Sequence, residues 1–555
     1  MFTSNKITTF ATKTSNSNST KTSNTNSTIT SNSYSIITRT SPIHINSIVM
    51  ATIEQLMADS LEQLHILQQQ NPNLVLKGTE QLSRVHLKRL LDNGWLQEVM
   101  KGWYIPSRPG SEGDTTVWYT SYWHFIKAYL NSRFDDNWIL MPDQSLDILS
   151  GKTTVPIQLV IKAPQASNNT VNLPYGHSIL SIKSDIPAIS YVEPQYELRL
   201  YSLEEALIYA SPAYFERDEI SARTCLSMVK DTSDVLRYLV EIGATTRAGR
   251  LAGAFRNNGQ ADFADEILRT MKEFGYKVVE TDPFISVRTT PYRPEISPYA
   301  ARIRQMWANM REQVIENFPF KPENTVDIQN YIRNVDEKYL EDAYHSLSIE
   351  GYQVSKELIE KVRSGNWQPD KEDKEHKRAL VARGYYQAFN AVKESIKKIL
   401  EGNHAAEVVC NDHSHWYRQM WMPFVTTGIL KASDLIGYRR SQVYIRGSKH
   451  IPLNPEAVAD TMPVLFNLMA EEPDARVRAI LGHFIFVFIH PYMDGNGRMG
   501  RFILNAMLAS GGYPWTIVPV ELRADYMKAL ENASVNGDIS QFSQVIANLV
   551  KAQLK

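Results

Sequence analysis

Twelve consecutive residues, His490-Pro491-Tyr492-Met493-Asp494-Gly495-Asn496-Gly497-Arg498-Met499-Gly500-Arg501, bring together a base, a hard oxygen donor, a glycine-rich turn and two guanidinium groups. A histidine accepts a proton near neutral pH, so His490 is a candidate general base. Asp494 is the kind of ligand Mg²⁺ takes alongside phosphate oxygens. Gly495 and Gly497 allow backbone N–H groups to approach an anion with no Cβ in the way. Arg498 and Arg501 lie three apart, so on a helix they share a face and can fork onto phosphate oxygens. This set describes attack of a hydroxyl on a nucleotide phosphate. The Walker alternative, G-x-x-x-x-G-K-[ST], does not occur in the sequence.

These groups need elements to hold them. Val477 to Ile489 is strongly apolar and predicts a buried helix. Pro491 disfavours helical dihedrals at His490, so the helix stops there. Arg498 to Leu508 is helical again, with Phe502, Ile503, Leu504, Met507 and Leu508 for the core. The loop between them opens onto a helix N-terminus, where free N–H groups and the positive end of the dipole favour an anion.

The stretch resembles the Fic family signature, H-P-F-x-[D/E]-G-N-G-R-x-x-R, with Tyr492 where Phe is usual. The resemblance implies a protein adenylyltransferase that moves AMP from ATP, with Mg²⁺, onto a Ser, Thr or Tyr hydroxyl of a target protein. It makes His490 the base and Asp494 the Mg²⁺ ligand. Gly495, Asn496 and Gly497 would hold the α- and β-phosphates, and Arg498 with Arg501 the β/γ end. The ring of Tyr492 is expected in the core, where its hydroxyl needs a partner.

Ser346-Leu347-Ser348-Ile349-Glu350-Gly351 is the second pointed feature. Ser346 and Glu350 fall on one helix face, and Gly351 is placed to end the helix. A carboxylate in a last helical turn opposes the dipole, so Glu350 calls for a cation. The segment resembles the Fic inhibitory motif, [S/T]-x-x-x-E-[G/N], lying N-terminal to the core. That implies pairing of Glu350 with Arg501 and a self-inhibited enzyme; a deAMPylase using Glu350 stays open. Val443, Tyr444, Ile445 and Arg446 resemble the family's flap, a small β-hairpin whose exposed edge would align a target segment. Cys410-Asn411-Asp412-His413-Ser414-His415 lacks structural-zinc spacing, and Asp412 reads as a helix cap.

With 555 residues, 43% of them hydrophobic and 21% charged, the chain reads as multidomain and globular. A formal net charge of −1 argues against bulk attraction to nucleic acid or membrane. Two cysteines, Cys225 and Cys410, make no disulfide framework, and a reducing, cytoplasmic setting is expected. No apolar run is long enough to span a bilayer.

Four parts are expected. Residues 1–49, dominated by Ser, Thr and Asn, form a disordered tail, with a second Met at position 50 as a candidate start. Residues 50–110 read as a winged helix-turn-helix: helices at 51–70 and 79–91, the latter capped by Thr79, then a hairpin turning at Lys101-Gly102. This part resembles AbiEi-type antitoxins through Trp95 and Lys101-Gly102-Trp103-Tyr104. Arg84, His86, Lys88 and Arg89 would supply charge for DNA, although winged helices also contact proteins. Residues 111–285 are an α/β regulatory segment, with aromatic and β-branched runs at Trp118–Phe125 and Ser178–Ile182 and helices including Thr224–Ile242. A proline-rich boundary at Pro283–Pro298 precedes 300–555, helical almost throughout, which the resemblance makes an all-α Fic domain. The fold class is therefore an α+β, winged-helix-containing module followed by an all-α domain with one hairpin. The alternative function is a DNA-binding regulator whose C-terminal half senses nucleotide, and a homodimer is an assembly to test.

Overall fold

The computed structural model describes residues 52–110, 113–187, 190–286, 297–318, 327–365 and 374–554. The expected tail at 1–49 and most of the proline-rich boundary lie outside these residues.

The N-terminal unit starts with α1 (Ile53–Gln70), β1 (Leu76–Lys77), α2 (Arg84–Asp92), β2 (Leu96–Met100) and β3 (Trp103–Pro106), the strands pairing antiparallel in the order β1-β3-β2. Leu64, Leu74, Leu87, Leu90 and Leu96 form its small core. The hairpin turns at Gly102 (φ 82°), as the dipeptide predicted. Helix α2 starts later than expected because Ser83, not Thr79, receives the His86 N–H (3.4 Å), while the residues from Gly78 to Ser83 form a turn.

A four-stranded sheet follows. Its elements are α3 (Thr116–Phe134), β4 (Ile139–Leu140), α4 (Pro142–Leu149), β5 (Gln158–Ala163), β6 (Asn169–Asn172) and β7 (Ser178–Lys183), in the order β4-β5-β7-β6 with β5 and β7 parallel. The run Trp118–Phe125 lies within α3. Trp118, Tyr119, Tyr122, Trp123, Phe125, Ile126, Tyr129 and Leu130 are buried around this helix, so its apolar residues mark no single face. After the short pair β8 (Tyr191–Val192) and β9 (Arg199–Leu200) come α5 (Leu203–Tyr209), α6 (Pro212–Arg217), α7 (Glu219–Met228), α8 (Ser233–Ile242), α9 (Thr245–Asn257) and α10 (Ala261–Glu273). The stretch 224–242 is thus two helices, separated where the Asp231 carboxylate accepts the Ser233 N–H (2.8 Å).

The C-terminal half is helical: α11 (Pro298–Asn317), α12 (Ile328–Ile349), α13 (Lys356–Arg363), α14 (Lys374–Leu400), α15 (Ala405–Thr426), α16 (Pro455–Glu471), α17 (Ala475–Ile489), α18 (Asn496–Ser510), α19 (Arg523–Asn536) and α20 (Ser540–Gln553). One large apolar core joins them, with α17 and α18 buried along most of their length. Their crossing is tight, since a Cβ on Gly500 would stand 2.8 Å from Val487 Cγ2.

Two expectations are corrected here. Helix α15 starts at Ala405, so Asp412 lies inside it; its carboxylate accepts from Ser395 (2.7 Å) and Lys398 (2.9 Å) of α14 and ties two helices together. The hairpin at 443–446 is absent, because among the described residues 441–450 contain no strand. The carbonyls that a ladder would use at Ser441, Pro452 and Leu453 accept instead from the side chains of Arg439 and Gln442.

The halves are packed together. Ile220 of α7 joins the C-terminal core, and Ile451 sits in the core around α3. Buried Arg302 of α11 donates to Ser221 Oγ of α7 (3.0 Å).

Candidate active site

Helix α17 ends at His490, whose φ of 56° is left-handed. For a non-glycine residue ahead of proline this is strained, at a cost of about 1–3 kcal/mol. The buried imidazole bonds through Nδ1 to the Val487 carbonyl (3.1 Å). A carbonyl only accepts, so the proton sits on Nδ1 and the lone pair on Nε2. Burial lowers the ring's pKa from 6.5 to about 4, with the Arg439 cation contributing, so His490 is neutral at pH 7.

The loop that follows is clasped by Asn496. Its side chain accepts from Tyr492 N–H (2.9 Å) and donates to the Tyr492 carbonyl (2.8 Å). An anion would therefore meet Asn496 through its backbone N–H. The Tyr492 ring is buried and stacks on Tyr417 at 3.8 Å, as expected, but its hydroxyl has no partner among the described residues. Gly495 precedes α18 at φ 86°, and the first intrahelical bond is Met499 N–H to Gly495 O (3.0 Å). The N–H groups of Asn496, Gly497 and Arg498 thus lack an intrahelical acceptor.

Two arginines face this turn. Arg498 is buried between Tyr352 (5.3 Å) and Trp421 (5.1 Å), with one long contact to Asp494 (3.4 Å). Burial works against its charge, yet Tyr352, Asp494 and Glu350 outweigh it and hold its pKa above the ordinary value. Arg501 is engaged more fully: Nε donates to Ser346 Oγ (2.8 Å), and Nη2 to the Ser346 carbonyl (3.0 Å) and the Glu350 carboxylate (2.8 Å). Arg498 Nε, Arg501 Nη1 and Trp421 Nε1 are buried donors without a hydrogen-bond partner among the described residues. Orphan donors converging on a helix N-terminus suit an anionic ligand.

Glu350 caps the C-terminus of α12, with Gly351 at φ 85° ending it. Its carboxylate lies so close to Gly497 that a Cβ there would collide with it. A narrow cleft is lined by Glu350, Val443, Tyr444, His490, Asp494 and Gly497. Asp494 has its pKa raised by burial; Arg498 works against that, and the Glu350 charge adds to it. A magnesium ion would relieve both effects. Three-ligand metal clusters are absent among the described residues, but Mg²⁺ needs only one or two carboxylates when phosphates supply the rest. The residues present fit it.

Arg446 stands apart from the cleft, pairing with Asp114 (3.2 Å) beside a groove that includes Gly351, Arg523 and Lys528. On α2, Arg89 donates to Leu56 O and Ser60 Oγ (both 2.7 Å) and His86 bonds Ser60 (2.9 Å). That leaves Arg84 and Lys88 as the exposed cations of the four. Sequence reading missed Arg439, Trp421 and Tyr352. No local spacing marks them; Tyr352, two residues after Glu350, was the nearest to a signal.

The Fic/DOC family model matches residues 409–508. Protein adenylyltransferase fic-1 of Caenorhabditis briggsae is 28% identical over 228 residues, which is 40% of this chain and 42% of that protein. Protein adenylyltransferase Fic of Drosophila virilis is 29% identical over 223 residues, 39% of this chain and 42% of that protein. Its Drosophila melanogaster counterpart is 25% identical over 396 residues, 66% and 75% respectively. The chain thus spans less than half the length of the nematode relative. Among solved structures, a part of Fic-1 from C. elegans is similar with 18% identity and a TM-score of 0.34, covering 61% of this chain and 96% of that one.

Proposed function

We propose that this protein is an adenylyltransferase that moves AMP from ATP onto a hydroxyl of a protein, itself included, and that Glu350 holds it inactive. One observation carries the reading: a carboxylate lies 2.8 Å from Arg501 and against Gly497, where the helix N-terminus and the orphan donors call for phosphate. In this reading Glu350 and a terminal phosphate compete for one cation.

With Glu350 displaced, His490 accepts the proton of the incoming hydroxyl as its oxygen attacks the α-phosphorus. The bond to the bridging oxygen breaks, and pyrophosphate leaves toward Arg498 and Arg501. Backbone N–H groups of Gly497 and Arg498, fixed before the reaction, stabilise charge on the phosphoryl oxygens. Asp494 is the residue that would hold magnesium, which when bound neutralises the polyphosphate. Arg498, walled by two aromatic rings, keeps its charge in a site that excludes water.

The same cleft supports a second direction. Glu350 and His490 line it together, so a Glu350 carboxylate could activate water against an AMP ester and reverse the modification. Intact-mass measurement after incubation with Mg-ATP tests the main reading. A gain of one AMP in wild type or Glu350→Gly, lost in His490→Ala, is expected. No gain in either of the first two, with several protein acceptors added, overturns it.

A further inference from the structure

His490 is held from outside its own helix. Four successive carbonyls around it, those of Phe488, Ile489, His490 and Pro491, accept from the segment that precedes α16. Arg439 supplies three of these bonds: its backbone N–H reaches Pro491 O (2.9 Å), Nε reaches His490 O (2.7 Å) and Nη2 reaches Ile489 O (3.5 Å). The same guanidinium also donates to Ser441 O (3.0 Å) and to Leu453 O. Arg439 is buried, and among the described residues it forms no ion pair, an arrangement that disfavours a charged group unless its donors are all taken.

The fourth carbonyl, that of Phe488, accepts from His450. Its ring stacks on Phe488 at 4.1 Å and bonds through Nε2 to Phe488 O (2.8 Å). That carbonyl only accepts, so Nε2 carries the proton and Nδ1 accepts from Thr153 Oγ1 (2.9 Å). Thr153 follows α4 in the N-terminal half. A continuous path of hydrogen bonds therefore runs from that half to the residue two before His490. Next to His450, Ile451 is packed in the N-terminal core.

We propose that Arg439 is a positioning residue that holds His490 in its reactive left-handed geometry, and that His450 and Thr153 extend this hold to the N-terminal half. The inference rests on the reading of His490 as the base. A lysine at 439 keeps the charge but has one nitrogen where the guanidinium spans several carbonyls at once. Thr153→Val keeps the shape and removes the hydroxyl donor; Thr153→Ser restores it.

The test uses the full chain carrying Glu350→Gly, with rates of AMP incorporation into the chain itself measured against ATP concentration. Arg439→Lys should lower the plateau rate about 100-fold, the effect of an ångström-scale misplacement of a reacting group, while half-saturating ATP moves less than about twofold. Thr153→Val should lower the plateau about 3- to 10-fold, with Thr153→Ser near the parent. If Arg439→Lys fails to fold, the Thr153 pair decides. Plateau rates unchanged in Thr153→Val and in any folded Arg439→Lys, or a loss confined to half-saturating ATP, would overturn the proposal. His490→Ala runs alongside: labelling that survives it sinks the base itself and the positioning with it, whereas a dead His490→Ala beside unaffected Arg439 and Thr153 variants sinks the positioning alone.

Discussion

Replacing Glu350 by glycine removes the carboxylate that Arg501 holds at 2.8 Å, and both side chains are almost fully buried, at 6% and 4% exposed. Deleting one partner of a buried pair leaves a charge without compensation, at a cost of about 3–5 kcal/mol. Ser346 still accepts two guanidinium N–H groups, and the new space admits water, so the lower end, about 3 kcal/mol, applies here. For a domain of this size that lowers Tm by about 6–12 °C. Phosphate should reverse the loss by taking the vacated place. At 1.4 kcal/mol per decade, release from the competing carboxylate tightens Mg-ATP by about 100-fold. Thermal shift with and without Mg-ATP reads both quantities, and intact mass reads AMP transfer, which should rise. Glu350→Gln separates charge from shape: a neutral hydrogen bond survives, so roughly half of each effect is expected. An apo variant as stable as wild type, with unchanged Mg-ATP affinity and unchanged transfer, would refute competition between Glu350 and phosphate for Arg501.

Three further outcomes can be checked. Asp494→Asn should raise the Mg²⁺ concentration needed for transfer at least tenfold with little change in the Mg²⁺-free Tm; an unaltered Mg²⁺ titration counts against its role as ligand. Burial lowers the pKa of His490 to about 4 and of His450 and His483 to about 3, from 6.5. The unfolded chain then binds more protons below pH 6.5, so their contribution is full above that value and is lost as pH falls toward 3. Tm should drop between pH 7 and 5, and a flat profile would contradict their neutral burial. A mobility shift at low salt tests the DNA-binding alternative. With Arg89 and His86 of α2 tied to α1, no salt-sensitive shift is expected, and a strong one would revive that reading.

The Fic/DOC match at 409–508 spans the stretch from His490 to Arg501.

What the sequence determined alone was whatever depends on near neighbours along the chain. The brake at Pro491 placed the end of α17 at Ile489, and Gly351 marked the end of α12. Residue types singled out His490, Asp494, Arg498 and Arg501, and a motif placed Glu350 opposite Arg501. Tertiary structure decided everything that needs a distant partner. Asp412 looked like a cap until α14 presented Ser395 and Lys398 to it. The strand expected at 443–446 gave way to side chains of Arg439 and Gln442 capping the carbonyls a ladder would use. Asn496 turned to its own loop, and Trp421 and Tyr352 closed around Arg498 from separate elements. A hydrogen bond or a buried contact between residues far apart in the chain leaves no periodicity behind, so only the folded arrangement reveals which donor meets which acceptor.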